Sequence, residues 1–183
     1  MRLEDERYES IKTEVTNLYR ENDIKSTPIS SFEVAIKLGI KIYPYSSLGK
    51  RGKKLALKRS NDGFSVFYNN CMDAIIVYND EVKNYGRMNH TIMHEIGHYL
   101  LGHVKEGEEE EAEAKFFAKY ALAPLPLIHT KCQEKTPECI MEVFDISYEA
   151  ACNALSNYKK WMRYGEEDYT VYELELLENF GIA

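Results

Sequence analysis

Paired cysteines, membrane-length apolar runs and an excess of positive charge are all missing from this chain of 183 residues. No apolar run approaches the roughly 20 residues that a membrane-spanning helix needs. The opening MRLEDERYES is charged from its second residue, which argues against a secretory signal peptide. Cys71, Cys132, Cys139 and Cys152 contain no CxxC spacing. They are predicted to be reduced thiols of a cytoplasmic protein. A net charge of −7 disfavours electrostatic capture of nucleic acid. What remains is ordinary globular composition, 44% apolar and 29% charged, at a length suited to one main domain with a real core.

Periodicity sketches the elements. Leu3, Arg7, Ile11, Val15, Leu18 and Tyr19 fall near helical spacing and predict an opening helix over 3–22. Ser30 and Ser31 are candidate caps for a short helix over FEVAIKLG that stops at Gly39. IKIYPY reads as a strand ending at Pro44. KRGKKLALKR, with six basic residues in ten, reads as a solvated loop or a lysine-blunted edge strand. NDGFSVFYN and DAIIVYND read as two further strands, the first introduced by a turn. A helix is predicted over Asn89–Leu101 with Gly102 as its stop. The acidic run EGEEEEAEA opens another, lasting through Tyr120 until Pro124 and Pro126. Ser147 caps a helix to about Arg163, and a last helix covers 170–179. Residues 131–183 hold 5 basic and 11 acidic residues, a net −6, which leaves −1 for residues 1–130. This contrast predicts a main domain over 1–130 and a helical extension over 131–183. The fold class is α+β: a small twisted mixed sheet of three to five short strands packed on the Asn89–Leu101 helix.

One motif stands far above background: His94-Glu95-Ile96-Gly97-His98 on the strongest helical pattern in the chain. Chance would place HExxH about 0.02 times in a chain with this many histidines and glutamates. On a helix, positions i and i+4 stack about 6 Å apart, so His94 and His98 can share one metal ion. Glu95 is turned about 100° from His94, toward a water in the open coordination position rather than toward the metal. This is the zinc-metalloprotease signature, in which Glu95 is the general base. Catalytic zinc takes three protein ligands and keeps a position open. His103 does not complete the HExxHxxGxxH pattern, because Leu101 and Val104 stand where Gly and His are required. A glutamate from the following helix is the expected third ligand.

Arg87, then TIMHEIGHYLLGH, then EAEAKFFAKYALAP resemble the ImmA/IrrE family of zinc metallopeptidases, and FDISYEAA (Phe144 to Ala151) resembles the family's continuation. The resemblance covers about residues 30–155. It implies a zincin-like fold over 1–130, a Zn²⁺ cofactor, and a protein substrate that is a helix-turn-helix repressor of a prophage, mobile element or stress regulon. The ligand set it implies is His94, His98 and Glu111, with Glu113 and Glu110 as alternatives for the third place. Lys115 departs from the Asn or Asp usual in the family. Tyr78 is a candidate for steadying an oxyanion, and His103 a candidate support of the site. DAIIVYND is the candidate edge strand against which an extended substrate would lie. The alternative function is a non-catalytic anti-repressor that binds its partner through a fold held by structural zinc. No membrane partner and no direct nucleic-acid partner is expected. The net negative charge of 138–163 disfavours a DNA-reading helix-turn-helix there.

Overall fold

The computed structural model describes residues 3–68, 73–105, 107–165 and 168–182. The chain is a mostly helical α+β protein whose residues gather into two compact units. One joins Met1–Leu3 to Ser30–Ala118, and the other joins Glu4–Ile29 to Lys119–Ala183. The opening helix α1 (Asp5–Glu21) belongs with the C-terminal helices, because its apolar face packs on α9 (Val171–Asn179).

The first unit is built on three strands, β1 (Lys41–Pro44), β2 (Gly63–Tyr68) and β3 (Asp73–Tyr78), in the order β1-β3-β2. β3 pairs parallel with β1 and antiparallel with β2, giving a mixed sheet. DAIIVYND is thus the central strand and not an edge. Its composition accounts for this: Ala74 and Ile76 are buried on one face and Val77 on the other, as a strand covered on both sides requires. α2 (Ser31–Lys37) and α4 (Tyr85–Leu100) pack together, and α4 lies across β2 and β3. Ser30 and Asn84 cap these helices by accepting from the amides of Glu33 and Arg87. Asn84 starts α4 at Tyr85, four residues ahead of the expected position. Asn89, buried in α4, accepts from the Ser31 amide at 2.7 Å and fixes α2 against it.

The basic segment is a helix, α3 (Gly49–Arg59), and neither loop nor edge strand. Its lysines, arginines, leucines and alanine are all good helix formers. Ala56 is its one buried residue, packed with Tyr45 and Val77 over the second face of the sheet.

α5 (Glu108–Leu122) carries the acidic run at its start, where the helix dipole favours negative charge. Pro124 and Pro126 end α5 and also open α6 (Leu125–Lys131), since proline fits the first turn of a helix. The second unit continues through α7 (Pro137–Phe144) and α8 (Tyr148–Tyr164), the latter capped by Ser147 as expected. Tyr19 is fully buried, donates to the Ala121 carbonyl and meets Phe180 edge-on. Glu173, also buried, closes a capping box with Thr170 and accepts from the Trp161 indole at 2.9 Å. His129 has a partner in this unit, the Tyr158 hydroxyl at 2.8 Å.

Candidate metal centre

The helical phase of HEIGH brings His94 and His98 to one face of α4, and α5 brings Glu111 to meet them. The His94 and His98 Nε2 atoms are 3.1 Å apart. Glu111 Oε1 lies 3.3 Å from the His98 nitrogen and 3.7 Å from that of His94. Tetrahedral zinc with bonds of 2.0–2.1 Å holds its ligand atoms about 3.3 Å apart. The triangle fits a metal ion of that size, and these three residues could hold one. The donor chemistry agrees. Burial, reinforced by His98, lowers the His94 pKa to about 4, leaving a neutral imidazole with a lone pair to offer. Burial would raise the Glu111 pKa, but His94, the Lys115 hydrogen bond and His98 outweigh it and keep the group an anion.

Close packing of α4 on α5 makes the triangle possible. A Cβ added at Gly97 would stand 3.0–3.2 Å from three Phe117 atoms, closer than carbon atoms ordinarily approach, so a side chain there would require Phe117 to shift. Ala114 and Ala118, both fully buried, continue the small-residue face of α5. Lys115 places its ammonium 3.3 Å from Glu111 Oε2, on the oxygen turned away from the histidines. The family departure at this position is thus a cation that holds the glutamate from its far side.

Glu95 lies beside the triangle. It is buried, and the Ser65 hydroxyl of β2 donates to its Oε2 at 2.7 Å. Burial raises its pKa, while Ser65 and His98 pull the other way. A buried carboxyl with an elevated pKa and a fixed rotamer is suited to taking and returning protons. Ser65 was not foreseen. It lies 30 positions from Glu95, and only the packing of β2 on α4 brings the two together.

A model of the Peptidase_M78 family, described as an IrrE N-terminal-like domain, matches residues 37–156. The chain belongs to that family. The ImmA/IrrE resemblance read from the motifs is borne out, and the mixed three-stranded sheet is consistent with the zincin-like fold it implied. The chain therefore carries a metallopeptidase-family domain. No curated protein matches the chain.

Within this M78 domain, other expected residues fall in different places. His103 and Glu113 come together, with His103 Nε2 and Glu113 Oε2 2.9 Å apart, and His103 Nδ1 is 2.9 Å from His98 Nδ1. Glu113 serves the histidines from behind and is not one of the three converging donors. Glu110 lies over Gly107 at the start of α5. Tyr78 meets the Phe32 ring edge-on at 5.4 Å. Phe32 in turn stacks on Tyr85. Arg87 forms a two-pronged ion pair with Asp62 at 2.7 and 2.9 Å, fastening the first turn of α4 to the turn before β2.

Proposed function

We propose that this domain is a zinc-dependent endopeptidase, with His94, His98 and Glu111 as metal ligands and Glu95 as general base and acid. The observation that carries the reading is the match between the three donor separations and a tetrahedral zinc centre. Zinc, when bound, supplies Lewis acidity toward a carbonyl oxygen and lowers the pKa of a coordinated water to about 7. The Glu95 carboxylate takes the proton of the attacking water as the C–O bond forms, then delivers it to the departing amide nitrogen as the C–N bond breaks. Ser65 holds Glu95 in a single rotamer for both transfers.

An extended substrate pairs with the outer edge of β2. β3 has both sides occupied, whereas β2 pairs with β3 alone among the described strands and also carries Ser65. The family resemblance supports a helix-turn-helix repressor as the substrate, so that cutting it would switch on a prophage, mobile element or stress regulon. A cytoplasmic site of action fits the free thiols of Cys132, Cys139 and Cys152, and no described helix is long and apolar enough to cross a membrane.

Glu95→Gln tests the mechanism when the zinc-loaded protein is mixed with the repressor encoded nearest its gene. Zinc content stays at the wild-type level and cleavage of the partner is lost. Full cleavage by the variant overturns the role of Glu95. A wild-type protein that captures the repressor intact supports instead the non-catalytic anti-repressor.

A further inference from the structure

Behind the donor triangle runs a line of three buried side chains, Glu113, His103 and His98, in unbroken hydrogen-bond contact. The last turn of α4 builds it. The His103 amide donates to the His98 carbonyl at 3.0 Å and the Gly102 amide to that of Tyr99 at 3.2 Å, the two bonds of a Schellman cap. Gly102 adopts φ +70°, which glycine tolerates best, and this reversal returns His103 against His98. Side-chain exposures of 10%, 6% and 7% for His98, His103 and Glu113 leave little room for water to substitute for any link.

We propose that Glu113 and His103 act as a tautomer lock on His98, forcing its proton onto Nδ1 and leaving Nε2 bare for the metal; the inference rests on His98 being a ligand. With one proton on each ring, the carboxylate sets the direction of the chain. A carboxylate only accepts, so the 2.9 Å contact with Glu113 places a proton on His103 Nε2. A His103 ring whose single proton is on Nε2 leaves Nδ1 as an acceptor. The 2.9 Å contact between the two Nδ1 atoms then draws its proton from His98. Neutral His98 is left with a lone pair on Nε2, the atom that faces His94 and Glu111. Metal-bound histidines usually meet a carboxylate or carbonyl directly through the second nitrogen. Here a whole imidazole is inserted, which lets a carboxylate on α5 orient a ligand on α4. Glu113 and His103 are positioning residues. His94 lacks such a lock, since its buried Nδ1 has no hydrogen-bond partner among the described residues.

The test uses ¹⁵N-histidine NMR on the metal-free protein at about pH 8, where ordinary imidazoles are neutral, together with zinc affinity measured against a chromophoric chelator. Wild-type His98 shows protonated Nδ1 and bare Nε2. Glu113→Gln keeps the shape but can donate as well as accept, so His98 becomes a mixture of tautomers and zinc binds about 10-fold more weakly. His103→Phe fills the space without nitrogens and weakens zinc 10- to 100-fold; if it fails to fold, Glu113→Gln carries the test alone. Wild-type His98 protonated on Nε2, or a folded variant that binds zinc within twofold of wild type, overturns the lock. His98→Ala separates the two readings. Loss of tight zinc binding there, with wild-type binding in the lock variants, defeats only the lock. Retained binding defeats the ligand assignment and the lock together.

Discussion

Gly97→Ala probes the contact on which the donor triangle depends. The added methyl would sit 3.0 Å from Phe117 Cδ1 and 3.2 Å from its Cβ and Cγ, whereas carbon atoms rest at about 3.5–4.0 Å. Phe117 is fully buried, and two of the three close atoms, Cβ and Cγ, sit near its backbone, so a shift of the side chain is carried to the helix. Overpacking of this kind costs about 1–3 kcal/mol. Replacing a helical glycine by alanine returns about 0.8–1.0 kcal/mol, so the net loss of stability is roughly 0–2 kcal/mol. The larger effect falls on the metal. Relief of the clash moves α5 outward by a few tenths of an ångström, comparable to or beyond the roughly ±0.2 Å within which metal–ligand distances are held. Zinc affinity, titrated against a chelator, is expected to fall at least 10-fold. Gly39→Ala supplies the control: φ +72° makes it strained by about 1–2 kcal/mol, nothing within 4 Å resists the methyl, and the site is untouched. It should lose stability with unchanged zinc affinity. Wild-type zinc affinity in Gly97→Ala would refute the argument that this close approach sets the triangle.

Three further outcomes follow from the same geometry. Ser65→Ala removes a 2.7 Å hydrogen bond to a buried carboxyl, an interaction worth about 1.5–3 kcal/mol, so peptide cleavage should drop 10-fold or more while equilibrium dialysis finds unchanged zinc. Zinc at 100 times its Kd should raise unfolding free energy by about 2.7 kcal/mol over the chelator-treated protein, and His94→Ala should abolish that difference in a denaturant titration. Asp80 has its pKa lowered chiefly by its hydrogen bond with Ser46, so its contribution is present above the ordinary carboxyl pKa and disappears as pH falls through the depressed value. Asp80→Asn should therefore be less stable than wild type at pH 7, with the gap closing below about pH 4.

The legible parts of this sequence were those set by neighbours a few positions away. The i, i+4 histidines, the caps at Ser30 and Ser147 and the alternation of β2 all depend on local spacing. The choice of Glu111 over Glu113 and Glu110 came from the family resemblance. α3 was obscured because a helix anchored by Ala56 alone has no apolar stripe to betray its period. The central position of β3 was legible in principle: Ala74-Ile75-Ile76-Val77 is an unbroken apolar run, as two covered faces demand, and outer strands alternate. The proline pair conveyed two messages, the end of α5 and the start of α6, of which only the first was read. Ser65 could not be read at all, since its meaning depends on the register of β2 against α4.

All three donors fall between positions 94 and 111, a stretch of 18 residues in two consecutive helices. The ring that a bound cation would close is therefore short, and the chain entropy lost in closing it is correspondingly small. All three donors precede Lys119–Ala183, the stretch that completes the second unit, so the chelate draws on none of that later segment.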